Sequence, residues 1–270
     1  MAGSPPRILS IAGSDSSGGA GIQADIKTIS MLGGYAMTAI TAATAQNTLG
    51  VQAITPFPGD FVAAQIRSCT GDIGVDAIKI GMLHDPDIVA HVADELDRLD
   101  AGIPVVLDPV MISTSGAALI TPETVALLRE RLFPRARLVT PNLPELEHLA
   151  GRTLRTTELM RDAALELAEQ YGCSVLAKGG HTDDQRIIDT LIGPGEERAA
   201  SFDHARIDTP HTHGTGCTLS SAIATLLGHG QPLEHAVRLG RKFVYRAIEA
   251  APGFGGGNGP LGHHAVRRLD

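Results

Sequence analysis

The chain has 270 residues, with 22 Lys and Arg against 30 Asp and Glu for a formal net charge of −8, which argues against the basic stripe that nucleic-acid binding requires. Aromatic residues are 3% with no Trp, so a base-stacking platform is unsupported, while 43% apolar residues suffice for a sizeable core. Three scattered cysteines, Cys69, Cys173 and Cys217, suit reduced cytoplasmic thiols rather than a disulfide framework or a zinc site. Residues 1–7 show no basic segment followed by an apolar stretch, so no secretory signal is expected.

In chain order, residues 7–12 read as a strand stopping at Gly13. Residues 20–32 read as a helix with Ile22, Ile26 and Ile29 on one face and Gly33-Gly34 as its stop. Residues 35–45 are β-branched and nearly charge-free, as for a central strand covered on both faces. The whole stretch 28–59 lacks charge, but its glycine pair, amides and prolines are wrong for a membrane span. A helix at 60–70, a strand at 77–80, a helix from Asp85-Pro86 and a strand at 104–107 follow. Next come a helix at 121–132, a strand at 137–139, a helix at 157–171 closed by Gly172, and a strand at 174–177. Runs 186–192 and 198–207 form a hairpin around Gly193-Pro194-Gly195, and helices at 216–227 and 233–250 finish the chain. The rhythm predicts one α/β domain over residues 1–270, with a mostly parallel central sheet and helices on both faces. In such sheets ligands bind beyond the carboxyl ends of the strands.

The chemistry-bearing residues fall there. Gly13-Ser14-Asp15-Ser16-Ser17-Gly18-Gly19-Ala20-Gly21 leads from a strand to a helix N-terminus, either to admit a ligand close to the backbone or as a plain flexible turn. No Gly-Lys-Ser/Thr follows, so it is not a P-loop, and the ribose-holding acid of a dinucleotide site is missing. Asp25 lies beside the apolar stripe of its helix, or is a first-turn acid favoured by the dipole. Gln46-Asn47 closes the long strand, where amides offer paired donors and acceptors to a heterocycle or cap a turn. Asp108 stands at a strand end, a position suited to Mg²⁺. Asn142 and Glu145 follow the 137–139 strand, with Glu145 equally readable as a capping acid. Lys178 can reach phosphate as a point charge. Thr212-His213-Gly214-Thr215-Gly216-Cys217 enters a helix in a charge-free segment, exposing N–H groups to an anion. Cys217 in that first turn is expected to have a pKa lowered from about 8.5 towards neutrality, as a base or nucleophile; a buried packing cysteine is the alternative. His211 and His213 lack a third metal ligand, His263-His264 reads as tail, and Cys69 and Cys173 read as core.

Together these segments resemble the ribokinase-like superfamily and, within it, the hydroxymethylpyrimidine/phosphomethylpyrimidine kinases of thiamine biosynthesis. The carriers, spread from Ile8 to about His264, are Ile11-Ala12-Gly13-Ser14-Asp15, residues 18–25, Ala45-Gln46-Asn47-Thr48, Lys79-Ile80-Gly81-Met82-Leu83, Asp108-Pro109-Val110-Met111, residues 140–145, Lys178-Gly179-Gly180 and His213-Gly214-Thr215-Gly216-Cys217. The resemblance implies a three-layer ribokinase-like fold and transfer of phosphoryl from ATP to 4-amino-5-hydroxymethyl-2-methylpyrimidine, then to its monophosphate. It implies Gln46 on the aminopyrimidine edge, with Gly13, Asp25, Met82 and Val110 around the ring. It also implies Asp108 and Glu145 at Mg²⁺, Asn142 and Lys178 at the nucleotide phosphates, and Gly214, Thr215 and Gly216 as the anion hole. Cys217 takes the place where most ribokinase relatives carry an Asp base. A cytoplasmic homodimer acting on a small molecule, with no nucleic-acid or membrane partner, completes the expectation.

One position departs from the pattern. Where the family usually ends in a Gly-Lys-Gly-x-Gly-Pro-type segment, residues 255–260 read Gly-Gly-Gly-Asn-Gly-Pro, with Gly256 replacing the Lys and Arg241 or Lys242 as possible substitutes. The competing readings are a pyridoxal/pyridoxine kinase of the same superfamily and a non-catalytic pyrimidine sensor.

Overall fold

The computed structural model describes residues 3–111, 119–180, 186–196 and 198–266. Its elements are β1 (Arg7–Asp15), α1 (Gly21–Met31), β2 (Tyr35–Asn47), β3 (Gly50–Pro56), α2 (Gly59–Asp72), β4 (Ala77–Ile80), α3 (Pro86–Leu96), β5 (Val105–Leu107), α4 (Pro122–Leu127), β6 (Leu138–Val139), α5 (Leu143–Ala150), α6 (Thr157–Tyr171), β7 (Ser174–Ala177), β8 (Arg186–Ile192), β9 (Ala200–Ala205), α7 (Thr215–Gly228) and α8 (Leu233–Glu249). The strands of the described residues form one sheet in the order β3-β2-β1-β4-β5-β6-β7-β8-β9. From β2 to β7 neighbours are parallel; β3 at one edge and the β8–β9 hairpin at the other are antiparallel.

Side chains alternate across the strands, and so two cores form. Leu9, Ile11, Ile78, Ile80, Val105, Leu107, Val139 and Val175 face one layer, with Val62 and Ile66 of α2, Ile88 and Val92 of α3, Leu146 of α5 and Leu167 of α6. Ile8, Ala77, Val106, Leu138 and Leu176 face the other, with Ile29 of α1, Leu219 and Ile223 of α7 and Val237 of α8. Three layers result, and the loops at the carboxyl ends of the central strands gather at one rim.

Two expectations are corrected. The strand does not stop at Gly13: β1 runs on to Asp15 through a register shift between Ala12 and Ser14. Nor is β2 covered on both faces. Its second half turns into the β3 hairpin and alternates between exposed and half-buried from Ala43 onwards. Its lack of charge therefore reflects the use of small and hydroxylic residues near the rim, not full burial. β3 itself, a largely exposed edge strand with little periodic signal, is an element the composition did not announce.

Candidate active site

Two helix N-termini meet at the rim. α7 begins after Gly214, which adopts φ 88°, a left-handed conformation that glycine reaches without strain. A Cβ there would run into the carbonyl oxygen of Gly19, so the loop before α1 and the loop before α7 pack backbone on backbone. Neither helix has a side-chain cap, which leaves first-turn N–H groups available to an anion.

Cys217 sits half-buried in the first turn of α7. The lowered pKa expected from the helix tip is not what the structure shows: burial pushes the thiol up to about 11, Asp25 and Asp108 adding to it against the Lys79 ammonium and the Gly21 N–H. The helix tip alone does not outweigh desolvation.

Lys79 and Asp25 lie beneath the sulfur. Both are fully buried, paired at 2.8 Å, and Asp25 also accepts from Ser10 Oγ at 2.5 Å and Ser221 Oγ at 2.7 Å. β1, β4, α1 and α7 are thus tied at one carboxylate, with Ser10 and Lys79 opposite one another in the sheet register. Asp25, expected around the substrate ring, is placed below the site instead, with no surface of its own.

A second charged cluster follows β5, β6 and β7. Lys178 Nζ donates to Asp108 Oδ1 at 2.7 Å, and Thr140 Oγ1 donates to the same oxygen at 2.9 Å. Asp108 Oδ2 faces the α7 tip, 3.1 Å from where a Cβ on Gly216 would lie, and Lys178 Nζ is 3.3 Å from that point. Burial alone would lower the Lys178 ammonium, but Asp108 and Glu145 outweigh it and raise it above its usual range. Asn142 and Glu145 form a capping box on α5: Glu145 N donates to Asn142 Oδ1 at 2.9 Å and Asn142 N to Glu145 Oε2 at 2.8 Å. The capping reading of Glu145 is therefore realised, and its carboxylate still lies near Lys178 and Asp108. Burial pushes that carboxyl up to about 7 against the pull of Lys178.

This donor set fits Mg²⁺ and not a tighter-held metal. Among the described residues no group of three or more His, Cys, Asp or Glu could hold a metal ion. Mg²⁺ needs only one or two carboxylates when substrate phosphates and water supply the rest.

The third part is an apolar wall. Ala42, Met82 and Leu119 form a small cluster of their own, with Val110 and Ile54 packed against it. A Cβ on Gly13 would lie 2.6 Å from Met82 Cε, so Gly13 leaves that methyl its space. Gln46, half-buried at the end of β2, lies beside His213, which pairs with Asp15 at 2.8 Å. Asp15, His213 and Lys79 stand in motifs that the sequence offers, but without a role, His213 only as a histidine that lacks a third metal ligand, and Thr44 is not singled out. A lysine inside the apolar run Ala77–Ile80 was the one clear signal among them.

Elsewhere, His263 is buried rather than tail, its Nε2 2.8 Å from Thr218 Oγ1. Arg241 is held by Asp189 at 2.6 Å and His204 at 2.7 Å, so it does not replace the lysine missing at Gly256. The glycine-rich segment near the C-terminus packs on the β2–β3 turn, where Asn258 N donates to Thr48 O at 2.9 Å. Among the described residues no helix is long and apolar enough to cross a membrane.

Comparison with known proteins is consistent with this arrangement. The family described as phosphomethylpyrimidine kinase matches residues 15–262. The Bacillus subtilis hydroxymethylpyrimidine/phosphomethylpyrimidine kinase is 42% identical, over 97% of this chain and 96% of its own. The thiamine biosynthesis bifunctional protein ThiED of Geobacter sulfurreducens is 45% identical over 95% of this chain, which spans only 52% of that longer protein. Among solved structures, the phosphomethylpyrimidine kinase of Clostridium difficile has a TM-score of 0.79 at 39% identity, covering 90% of this chain and 99% of its own. The Staphylococcus aureus pyridoxal kinase in complex with AMP-PCP and pyridoxal has a TM-score of 0.90 at 32% identity, covering 99% and 97%.

Proposed function

This chain belongs to the phosphomethylpyrimidine kinase family, with the ribokinase-like fold, and from that premise we propose that it phosphorylates 4-amino-5-hydroxymethyl-2-methylpyrimidine with ATP and then phosphorylates the monophosphate. The observation that carries this reading is the convergence of the α7 tip, Cys217 and the Asp108–Lys178 pair beside the apolar wall that ends at Gln46. Such a crevice has an anion site at one end and a heterocycle site at the other.

The steps assigned to the chain are few, because phosphoryl transfer asks mainly for positioning and charge neutralisation. Gly214, Thr215 and Gly216 hold the migrating group on the N–H groups of α7, and Lys178 neutralises its oxygens. Asn142, at the tip of α5, faces the nucleotide phosphates. Asp108 and Glu145 would hold Mg²⁺, which when bound would screen the phosphate charge. The substrate hydroxyl oxygen forms the new bond to the γ-phosphorus as the bond to ADP breaks. Cys217 Sγ takes the hydroxyl proton as the thiolate, the form that the Lys79 ammonium and the Gly21 N–H favour against burial. The second acceptor is a phosphate oxygen that is already ionised and needs no base.

Gln46 favours the aminopyrimidine over pyridoxal because its carboxamide offers an acceptor and a donor side by side. Side-by-side measurement of kcat/KM on both compounds tests the assignment. A clear preference for the pyrimidine is expected, and a preference for pyridoxal would replace the reading with that of the sibling kinase. The free cysteines Cys69, Cys173 and Cys217 suit a reducing, cytoplasmic setting, and light scattering tests the homodimer.

A further inference from the structure

The carboxamide of Gln46 lies between His213 and Thr44, each of which has another hydrogen-bond partner. Asp15 accepts four donors from its own loop: Ser17 N at 2.9 Å, Ser17 Oγ at 2.8 Å, Gly19 N at 3.1 Å and Ala20 N at 2.8 Å. A carboxylate so surrounded accepts only. His213 Nε2, 2.8 Å from Asp15 Oδ2, therefore carries a hydrogen and donates it. That nitrogen has no lone pair left for Gln46 Nε2, which lies 3.4 Å away.

The other end shows a conflict of its own. The single hydroxyl proton of Thr44 has two acceptors in reach, the Ser14 carbonyl at 3.0 Å and Gln46 Oε1 at 3.1 Å, and can serve only one of them. With its nitrogen towards His213, the amide sets donor against donor at one end and leaves one Thr44 proton between two acceptors at the other. Turning the carboxamide end for end, the choice that partners decide for any Gln, removes both: Nε2 donates to Thr44 Oγ1, whose own proton then goes to Ser14, and Oε1 faces the His213 N–H, which it shares with Asp15.

We propose that Asp15, His213 and Thr44 are positioning residues that set the Gln46 carboxamide with its oxygen on the His213 side and its nitrogen on the Thr44 side. They thereby select a ring edge carrying an amino donor beside a ring-nitrogen acceptor. Each end of the amide keeps one further valence for the substrate, a lone pair on the oxygen and an N–H on the nitrogen. The inference rests on the pyrimidine reading above and adds a direction to it. In 4-amino-5-hydroxymethyl-2-methylpyrimidine the amino and hydroxymethyl groups occupy adjacent carbons. An amino group on the amide oxygen therefore brings the hydroxymethyl group to the His213 side, next to Gly214 and the α7 tip. The reverse setting would turn the reacting carbon towards Thr44. A 4-oxo ring presents the opposite edge, a carbonyl beside an N–H, and meets like against like.

The test compares kcat/KM on the 4-amino compound and its 4-oxo counterpart in the wild type, His213→Phe, His213→Gln and Thr44→Val. The wild type is expected to prefer the amino ring by about 10²-fold or more, since mispaired buried polar groups are strongly rejected. His213→Phe and Thr44→Val each release one end of the amide and should shrink that preference by about tenfold or more, mainly through KM. His213→Gln keeps an N–H donor and should retain most of it. KM for ATP serves as the control and should stay near the wild-type value. If His213→Phe folds poorly, Thr44→Val, a near-isosteric change within β2, still decides. Variants that lose activity on both rings equally, with the amino-to-oxo ratio unchanged, overturn the positioning role and leave a structural one. A wild type inactive on the amino ring overturns the pyrimidine reading, and the positioning role with it.

Discussion

Cys217 stands where opposing influences meet. Burial raises its thiol, while the Lys79 ammonium and the Gly21 N–H favour the thiolate. The residue was legible in the sequence from its place in a glycine-rich helix start, but its acidity was not, because desolvation depends on what packs over the sulfur. Cys217→Ala should slow the first phosphoryl transfer by about 10²–10⁴ and the second much less, as measured by rapid-quench single turnovers with each acceptor. Equal losses would leave Cys217 only a place in the anion hole. Asp15 gives a second residue-scale expectation. Burial opposes its charge, but His213, Ser17 and Ala20 together bring its pKa from 3.8 down to about 2. A depressed carboxyl stabilises the fold above its unfolded value and loses that contribution as pH falls through the folded one. Asp15→Asn should therefore cost about 2 kcal/mol at pH 7, and its deficit should narrow between about pH 4 and pH 2. Urea unfolding across that range checks it, and a deficit independent of pH would contradict it.

The tips of α1 and α7 carry the site at the level of elements. Their closeness depends on Gly214, where a side chain would meet both a positive φ and the Gly19 carbonyl. Gly214→Ala should lower kcat by about 10²–10³, the usual effect of disturbing an oxyanion-type donor, and cost about 1–3 kcal/mol of stability. Gly195→Ala is the control: φ is also positive but nothing lies within 4 Å, so activity should be unchanged. Under the same two helices, Lys79→Met strands the buried Asp25 carboxylate and should cost about 3–5 kcal/mol. The double variant Asp25→Asn/Lys79→Met should recover part of that loss in thermal or urea unfolding. A double variant no better than the single would show that the pair is not what stabilises these elements. The helix starts were readable from Gly and Pro punctuation, whereas Asp25 could be placed beside its helix's apolar stripe but not assigned its partners.

Across the whole molecule, the alternation of apolar runs and amphipathic stretches was enough to foresee a mostly parallel sheet sandwiched between helices. What it missed has a physical pattern. β3 is a short, exposed edge strand, and the continuation of β1 past Gly13 depends on a local register shift; neither leaves a periodic trace. Lys79 and Asp15 lie far in sequence from Asp25 and His213, so only the folded topology pairs them. The charged rim residues were legible individually because they follow strands, the end of an open α/β sheet where ligands bind. Their convergence beside one apolar wall was not. The account is tested most directly by a phosphorus NMR time course with ATP, Mg²⁺ and the hydroxymethylpyrimidine. It predicts a monophosphate that rises first and a diphosphate that follows at its expense, each step releasing ADP. Bound pyrimidine with no phosphoryl transfer would contradict it and make the chain a binding protein.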